Sequence, residues 1–91
     1  PGSTKTDAAG EAGTSEGPGA AQARRAANKE LARLERVIAK LEQREAQLQE
    51  ELAAHATDYV KLAELDAELR RVRAEREAAE TRWLEVAEAV G

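Results

Sequence analysis

Ala53-Ala-His-Ala-Thr-Asp-Tyr59 is the one interruption in about seventy residues otherwise patterned for helix. Before it, Leu31, Leu34, Ile38, Leu41, Glu45, Leu48 and Leu52 recur at alternating steps of three and four. After it, Leu62, Leu65, Leu69, Val72, Arg76, Ala79, Trp83, Val86 and Val90 do the same. That spacing is the a/d seam of a heptad repeat, broken once in each arm by a charge. Two such helices on either side of a short polar joint fold back most simply as an antiparallel hairpin. The expected fold is all-α: a two-helix antiparallel coiled-coil hairpin preceded by a disordered linker.

Composition agrees. With 91 residues there is room for one small domain, and Phe, Met and Cys are absent while Tyr59 and Trp83 are the only aromatics. A thick core is hard to build from this, whereas a narrow Leu/Val/Ala seam is not. The lack of cysteine excludes disulfides, thiolate metal sites and thiol nucleophiles. No apolar run approaches the roughly 20 residues a membrane crossing needs, and the N-terminus does not read as a signal peptide. A cytoplasmic, membrane-free location is expected. The chain does not begin with Met, and Pro1-Gly2-Ser3 reads as linker or vector-derived sequence, so these residues are expected to be part of a longer protein.

Residues 1–20 hold both prolines and five of the six glycines, with no apolar side chain larger than Ala. Burial there cannot offset the entropy of ordering, which predicts a disordered linker. The hairpin is expected over 21–91: helix 1 about 22–54, the joint about 55–57, and helix 2 about 58–89 with Thr57 or Asp58 as its N-cap. The narrow seam suits two strands within one chain, hence a monomer.

Two registers, one heptad apart, set a residues against d residues. The first pairs Leu48 with Leu62, Leu41 with Leu69, Ile38 with Val72 and Ala27 with Trp83. The second pairs Leu52 with Leu65, Leu48 with Leu69 and Leu34 with Trp83, and brings Glu51 against Glu68. Matching charges at Glu51/Lys61, Arg44/Glu68 and Glu30/Arg82 favour the first. Glu45 and Arg76 are expected to lay their stems on the seam and hold their charges in water; a register-setting role is the other reading. Trp83, in phase with the seam, is expected to pack across helix 1 with its indole N–H in water; the other reading is a docking anchor at the open end.

The net charge of −4 conceals a pattern. Residues 21–44 carry seven bases and three acids, whereas 45–69 carry one base and seven acids. Closing the hairpin is expected to bring Arg70, Arg71 and Arg73 alongside Arg33, Arg36, Lys40 and Arg44 as a basic band across the middle of the rod. Such a band suits a phosphate backbone, and the plainer alternative is a solvated face balanced by Glu35, Glu42 and Glu75. The acidic tip would repel phosphates.

Catalytic chemistry is not encoded. No glycine-rich phosphate loop occurs, and His55, the lone histidine, cannot by itself form a triad or a multi-histidine metal site. It is expected to serve the end of helix 1 through terminal carbonyls or contact with Leu52 or Leu62. No catalytic, cofactor or metal residue is assigned.

His55-Ala-Thr-Asp-Tyr-Val-Lys-Leu-Ala-Glu-Leu-Asp66, Arg82-Trp-Leu-Glu85 and Leu31-Ala-Arg-Leu-Glu-Arg-Val-Ile-Ala-Lys-Leu-Glu42 together resemble the C-terminal coiled-coil domain of ABC-F ATPases. The likeness is to the Uup type, with a joint of actinobacterial appearance, over about residues 22–90. The Asp58-Tyr59 joint and the Arg-Trp-Leu-Glu run carry more of it than the generic Leu/Glu repeats. The resemblance implies a soluble parent with two ATP-binding cassettes, so ATP and Mg belong to the parent and none of its nucleotide-site residues falls here. It further implies an accessory arm acting on the ribosome, through ribosomal RNA or protein, or on DNA. A DNA-binding arm would be expected to be clearly basic, and residues 21–91 sum to −2.

The sequence thus points to a non-catalytic C-terminal arm contacting the ribosome or nucleic acid through Arg33, Arg36, Lys40, Arg44, Arg70, Arg71 and Arg73. A purely structural or dimerising coiled coil and an autonomous DNA-binding domain are the alternatives.

Overall fold

A computed structural model describes residues 18–90 and the side chains of 19–90. It contains two helices, α1 (Pro18–Ala54) and α2 (Tyr59–Val90), packed along one another as a helical hairpin. Of the linker expected over 1–20, residues 1–17 lie outside the described residues. Residues 18–20, assigned to that linker from sequence, form the first turn of α1. Proline is well suited to a first helical position, where its missing N–H would have no intrahelical acceptor, and the Ala-rich run behind it favours helix.

The joint is Asp58-capped. The Asp58 side-chain Oδ1 accepts the backbone N–H of Lys61 at 3.0 Å, and its carbonyl accepts that of Leu62 at 2.9 Å. Asp58 is therefore the N-cap rather than the first helical residue, and α2 starts at Tyr59. On the other side, the His55 N–H donates to the Glu51 carbonyl at 2.9 Å and the His55 carbonyl accepts the Asp58 N–H at 3.0 Å. These bonds close the turn without any positive-φ residue.

The seam adopts the second register, not the one favoured from sequence. Leu48, fully buried, packs with Leu65, Leu69 and Val72, flanked by Leu41 and Leu52. Nearer the open end, Leu34 packs with Ala79 and Val86, joined by Leu31, Ile38 and Trp83. Both clusters follow from Leu48 facing Leu69 and Leu34 facing Trp83.

Two charges decide it. In the first register Glu45 would face Leu65 and Arg76 would face Leu34, some eleven residues or about 16 Å apart. In the second, Arg76 Nε reaches Glu45 Oε1 at 2.5 Å and Arg73 Nε reaches Glu45 Oε2 at 3.3 Å. Arg76 also donates to Glu80, at 3.0 and 3.1 Å. Glu45 is thereby only 12% exposed, so the expectation that both seam charges stand in water is corrected: they are paired across the interface. A half-buried charge without a partner is costly, which makes this pair a register device.

The predicted objection to this register, Glu51 meeting Glu68, is met by Arg44. Its guanidinium pairs with Glu68, with Nε to Oε2 at 3.1 Å, and Nη1 lies 3.9 Å from Glu51 Oε2. One cation thus sits between two acids. The register also sets Trp83 on Leu34 instead of the smaller Ala27, burying more apolar surface. The indole N–H donates to Glu35 Oε2 at 3.2 Å, where sequence reasoning gave it to water. Packing accounts for Trp83 as a seam residue.

Candidate nucleic-acid interface

The heptad phase settles which side chains face away from the partner helix. On α1, positions b, c and f between 22 and 47 carry Arg25, Lys29, Arg33, Arg36 and Lys40, and no acid. All five are exposed. Steps of four, four, three and four residues keep them on one side of the helix, a basic stripe about 22 Å long. Of the four acids of this stretch, Glu30, Glu35 and Glu42 occupy the e and g flanks beside the seam and Glu45 lies on the seam itself.

The seven bases proposed from sequence fare differently. Arg33 is bound by its neighbour Glu30, donating at 2.9 and 2.7 Å, and this hydrogen bond holds the Glu30 carboxyl below its ordinary value. Arg44 serves Glu68 and Glu51. Arg70 pairs with Asp66 at 2.8 Å, and Arg73 with Glu45. Arg36, Lys40 and Arg71 make no ion pair among the described residues. Arg73 lies against Glu45 rather than against Arg36, so the register carries the α2 bases toward the tip and past Arg36 and Lys40. Arg33, Arg36 and Lys40 remain together on α1; Arg70 and Arg71 form a smaller basic spot on the outer face of α2.

Arg25 and Lys29, also without an ion pair among the described residues, extend the α1 stripe. Sequence reasoning missed them by summing charge along the chain. The signal was in the phase: acids are missing from the outward positions alone. The outer face of α2 differs, carrying Glu64, Glu77, Glu85 and Glu88 against Arg70 and Arg71.

Three carboxylates are held below their ordinary range by arginine. A hydrogen bond from Arg76 leads at Glu45, with Arg73 adding to it, and one from Arg44 leads at Glu68. The same bonds hold the arginines Arg76 and Arg44 protonated. These are structural pairs, and no cluster of His, Cys, Asp or Glu among the described residues could hold a metal. A shallow cleft of about 540 Å³ at the open end is lined by Ala26, Ala27, Glu30, Arg82, Glu85, Val86 and Ala89, with no arrangement for proton transfer or nucleophilic attack. No described helix is long and apolar enough to cross a membrane.

A capped two-helix hairpin with most of its large apolar residues on the seam and charges over much of its outward surface is an accessory interaction module in form. Residues 22–88 match the family model of the ABC transporter C-terminal domain, and the chain belongs to that family. It is thus a C-terminal accessory domain of an ABC protein. No curated protein and no solved structure matches it.

Proposed function

We propose that this domain is the non-catalytic arm of a soluble ABC-F ATPase of the Uup type, and that it contacts ribosomal RNA or another structured nucleic acid. The observation that carries the reading is the acid-free basic stripe on the outer face of α1, with Arg25, Lys29, Arg36 and Lys40 unengaged by carboxylates among the described residues. Five cations on one helical face release counterions when phosphates replace them, whatever the total charge of the domain. The net charge of −2 over residues 21–91 is thereby reconciled with phosphate contact: acids lie at the tip, along the flanks of the seam and on the outer face of α2, away from the α1 stripe. Arg70 and Arg71 add a weaker contact, and Arg44 and Arg73 hold the hairpin together. ATP and Mg belong to the cassettes of the parent, to which this arm is joined.

The test is titration of the chain with a structured RNA and with duplex DNA at low and near-physiological salt, followed by backbone amide shifts and Trp83 fluorescence. Shifts concentrated on residues 25–40 and 70–71 that weaken with salt are expected. Absence of shifts at low salt removes the nucleic-acid contact and leaves a purely structural coiled coil.

A further inference from the structure

The start of α2 exposes apolar surface that the seam does not use. Tyr59 is 82% exposed and Val60 72%, the highest values among the large apolar residues described. Their backbone positions are fixed by the Asp58 cap, so they stand on a firm helical turn. Val60, Ala63 and Ala67 recur at steps of three and four along the outer face, with Tyr59 beside Ala63 one turn on. All four are exposed. This is a short apolar facet, about 13 Å long at 1.5 Å per residue, ending where Arg70 and Arg71 begin.

We infer that the Tyr59–Ala67 facet of α2 docks a basic amphipathic helical segment of another protein. Charge complementarity selects that occupant. Asp58 precedes the facet and Glu64 lies within it, both exposed and, like Glu50 on the neighbouring end of α1, without an ion pair among the described residues, while Lys61 is the one base of residues 45–69. Nucleic acid and an anionic membrane would bring negative charge to a negative surface. A second copy joined tip to tip meets the same repulsion. The α1 stripe of a second copy has the right charge, but no apolar side chain larger than Ala on its outer positions from 22 to 47, and so gives Tyr59 nothing to pack on. A segment with lysine or arginine flanking one or two Leu-sized side chains satisfies both needs. Its apolar residues cover Val60 and the Tyr59 ring, and its cations reach Glu64 and the neighbouring acids. Tyrosine suits such a contact because it offers a large surface with few torsions to freeze. The arm would then meet two partners of opposite charge, phosphate along the α1 outer face and basic protein at the tip.

The probe is a synthetic helical peptide of about 14 residues, long enough for four turns, with leucines on one face and lysines on the other. Two matched controls replace its leucines by serine or its lysines by glutamate. Titrated into the full chain, the first peptide is expected to shift the amides of 59–67 saturably, and the controls to bind at least about tenfold more weakly. Tyr59→Ser combined with Val60→Ser is expected to weaken binding of the first peptide by about tenfold while leaving helicity and Trp83 fluorescence unchanged. Equal binding by the serine control overturns the proposal in favour of charge alone. Shifts elsewhere, no binding, or an unaffected double variant overturn it as well. Self-association of the chain that shifts both 59–67 and the α1 stripe would identify a second copy as the occupant and overturn it.

Discussion

The two halves of this hairpin are built from one heptad rule and differ in almost everything else. From Glu45 and Arg76 toward the joint, the seam is Leu against Leu and Val, with Leu48 fully buried, and residues 45–69 around the joint are rich in acid. Toward the open end the residues opposite α1 are Ala79, Trp83 and Val86, and the α1 outer face is basic. The Glu45–Arg73–Arg76 layer divides them. The tip half supplies most of the dense apolar packing, and the open half carries the cations that suit a phosphate partner. Holding the arm shut and presenting the stripe are thus tasks of different residues, and each can be altered without the other.

The sharpest break in that division comes from the core. Leu48→Ala removes the one fully buried large side chain among the described residues, and a loss of roughly 2–5 kcal/mol is expected in denaturant unfolding followed by circular dichroism. Val86→Ala in the open half deletes a smaller side chain, and about 1.5 kcal/mol is expected at roughly 0.8 kcal/mol per buried CH₂. Equal losses would mean the halves do not differ in packing.

Charge sharpens the comparison from the outside. Arg36→Gln and Lys40→Gln together with Lys29→Gln remove three unengaged cations of the stripe. The logarithmic salt slope of RNA binding is expected to fall by about three, with little change in stability. Arg70→Gln with Arg71→Gln is expected to lower the slope by two at most, because Arg70 already shares its charge with Asp66. A larger effect from the α2 pair would move the interface to the other helix.

How much of this was readable beforehand follows from the scale of each effect. The hairpin and its joint were legible because period and capping are local: the steps of three and four name the seam, and Asp58 stands where an N-cap must. The register was not, because sliding by one heptad preserves the pattern. Surface charge pairs at g positions pointed one way, yet one of them, Arg44–Glu68, forms in the observed register too, and a pair half-buried on the seam outweighs the others. Glu45 and Arg76 were visible as oddities, each read alone; asking which register brings them together selects the one observed. The basic residues were found by composition, but which of them are free depended on Arg44 and Arg73 being drawn into the seam network. The facet at Tyr59 was hidden by the same habit, since an aromatic beside a joint reads as part of the turn until its exposure is known.

The smallest expected effect tests the dividing layer through pH. Glu45 and Glu68 have values lowered from an ordinary 4.5 by hydrogen bonds from Arg76 and Arg44. A depressed carboxylate contributes stability that is present above its unfolded value and lost as pH falls through the folded one. The contribution should therefore be constant from pH 7 to about 5 and fade below about 4.5. Glu68 is accessible enough that screening keeps its share modest, and Glu45, on the seam, carries the larger part. The Glu45→Gln, Glu68→Gln double variant should unfold at lower denaturant than the parent at pH 7, and the gap should narrow progressively as pH falls below about 4.5 and the two carboxylates protonate. Raising the salt should narrow the gap at pH 7 too, since these pairs are screened whereas the leucine layer is not. A gap that stays unchanged while the carboxylates protonate would place the role of these residues in packing of their stems, and the boundary between the halves would then be steric rather than ionic.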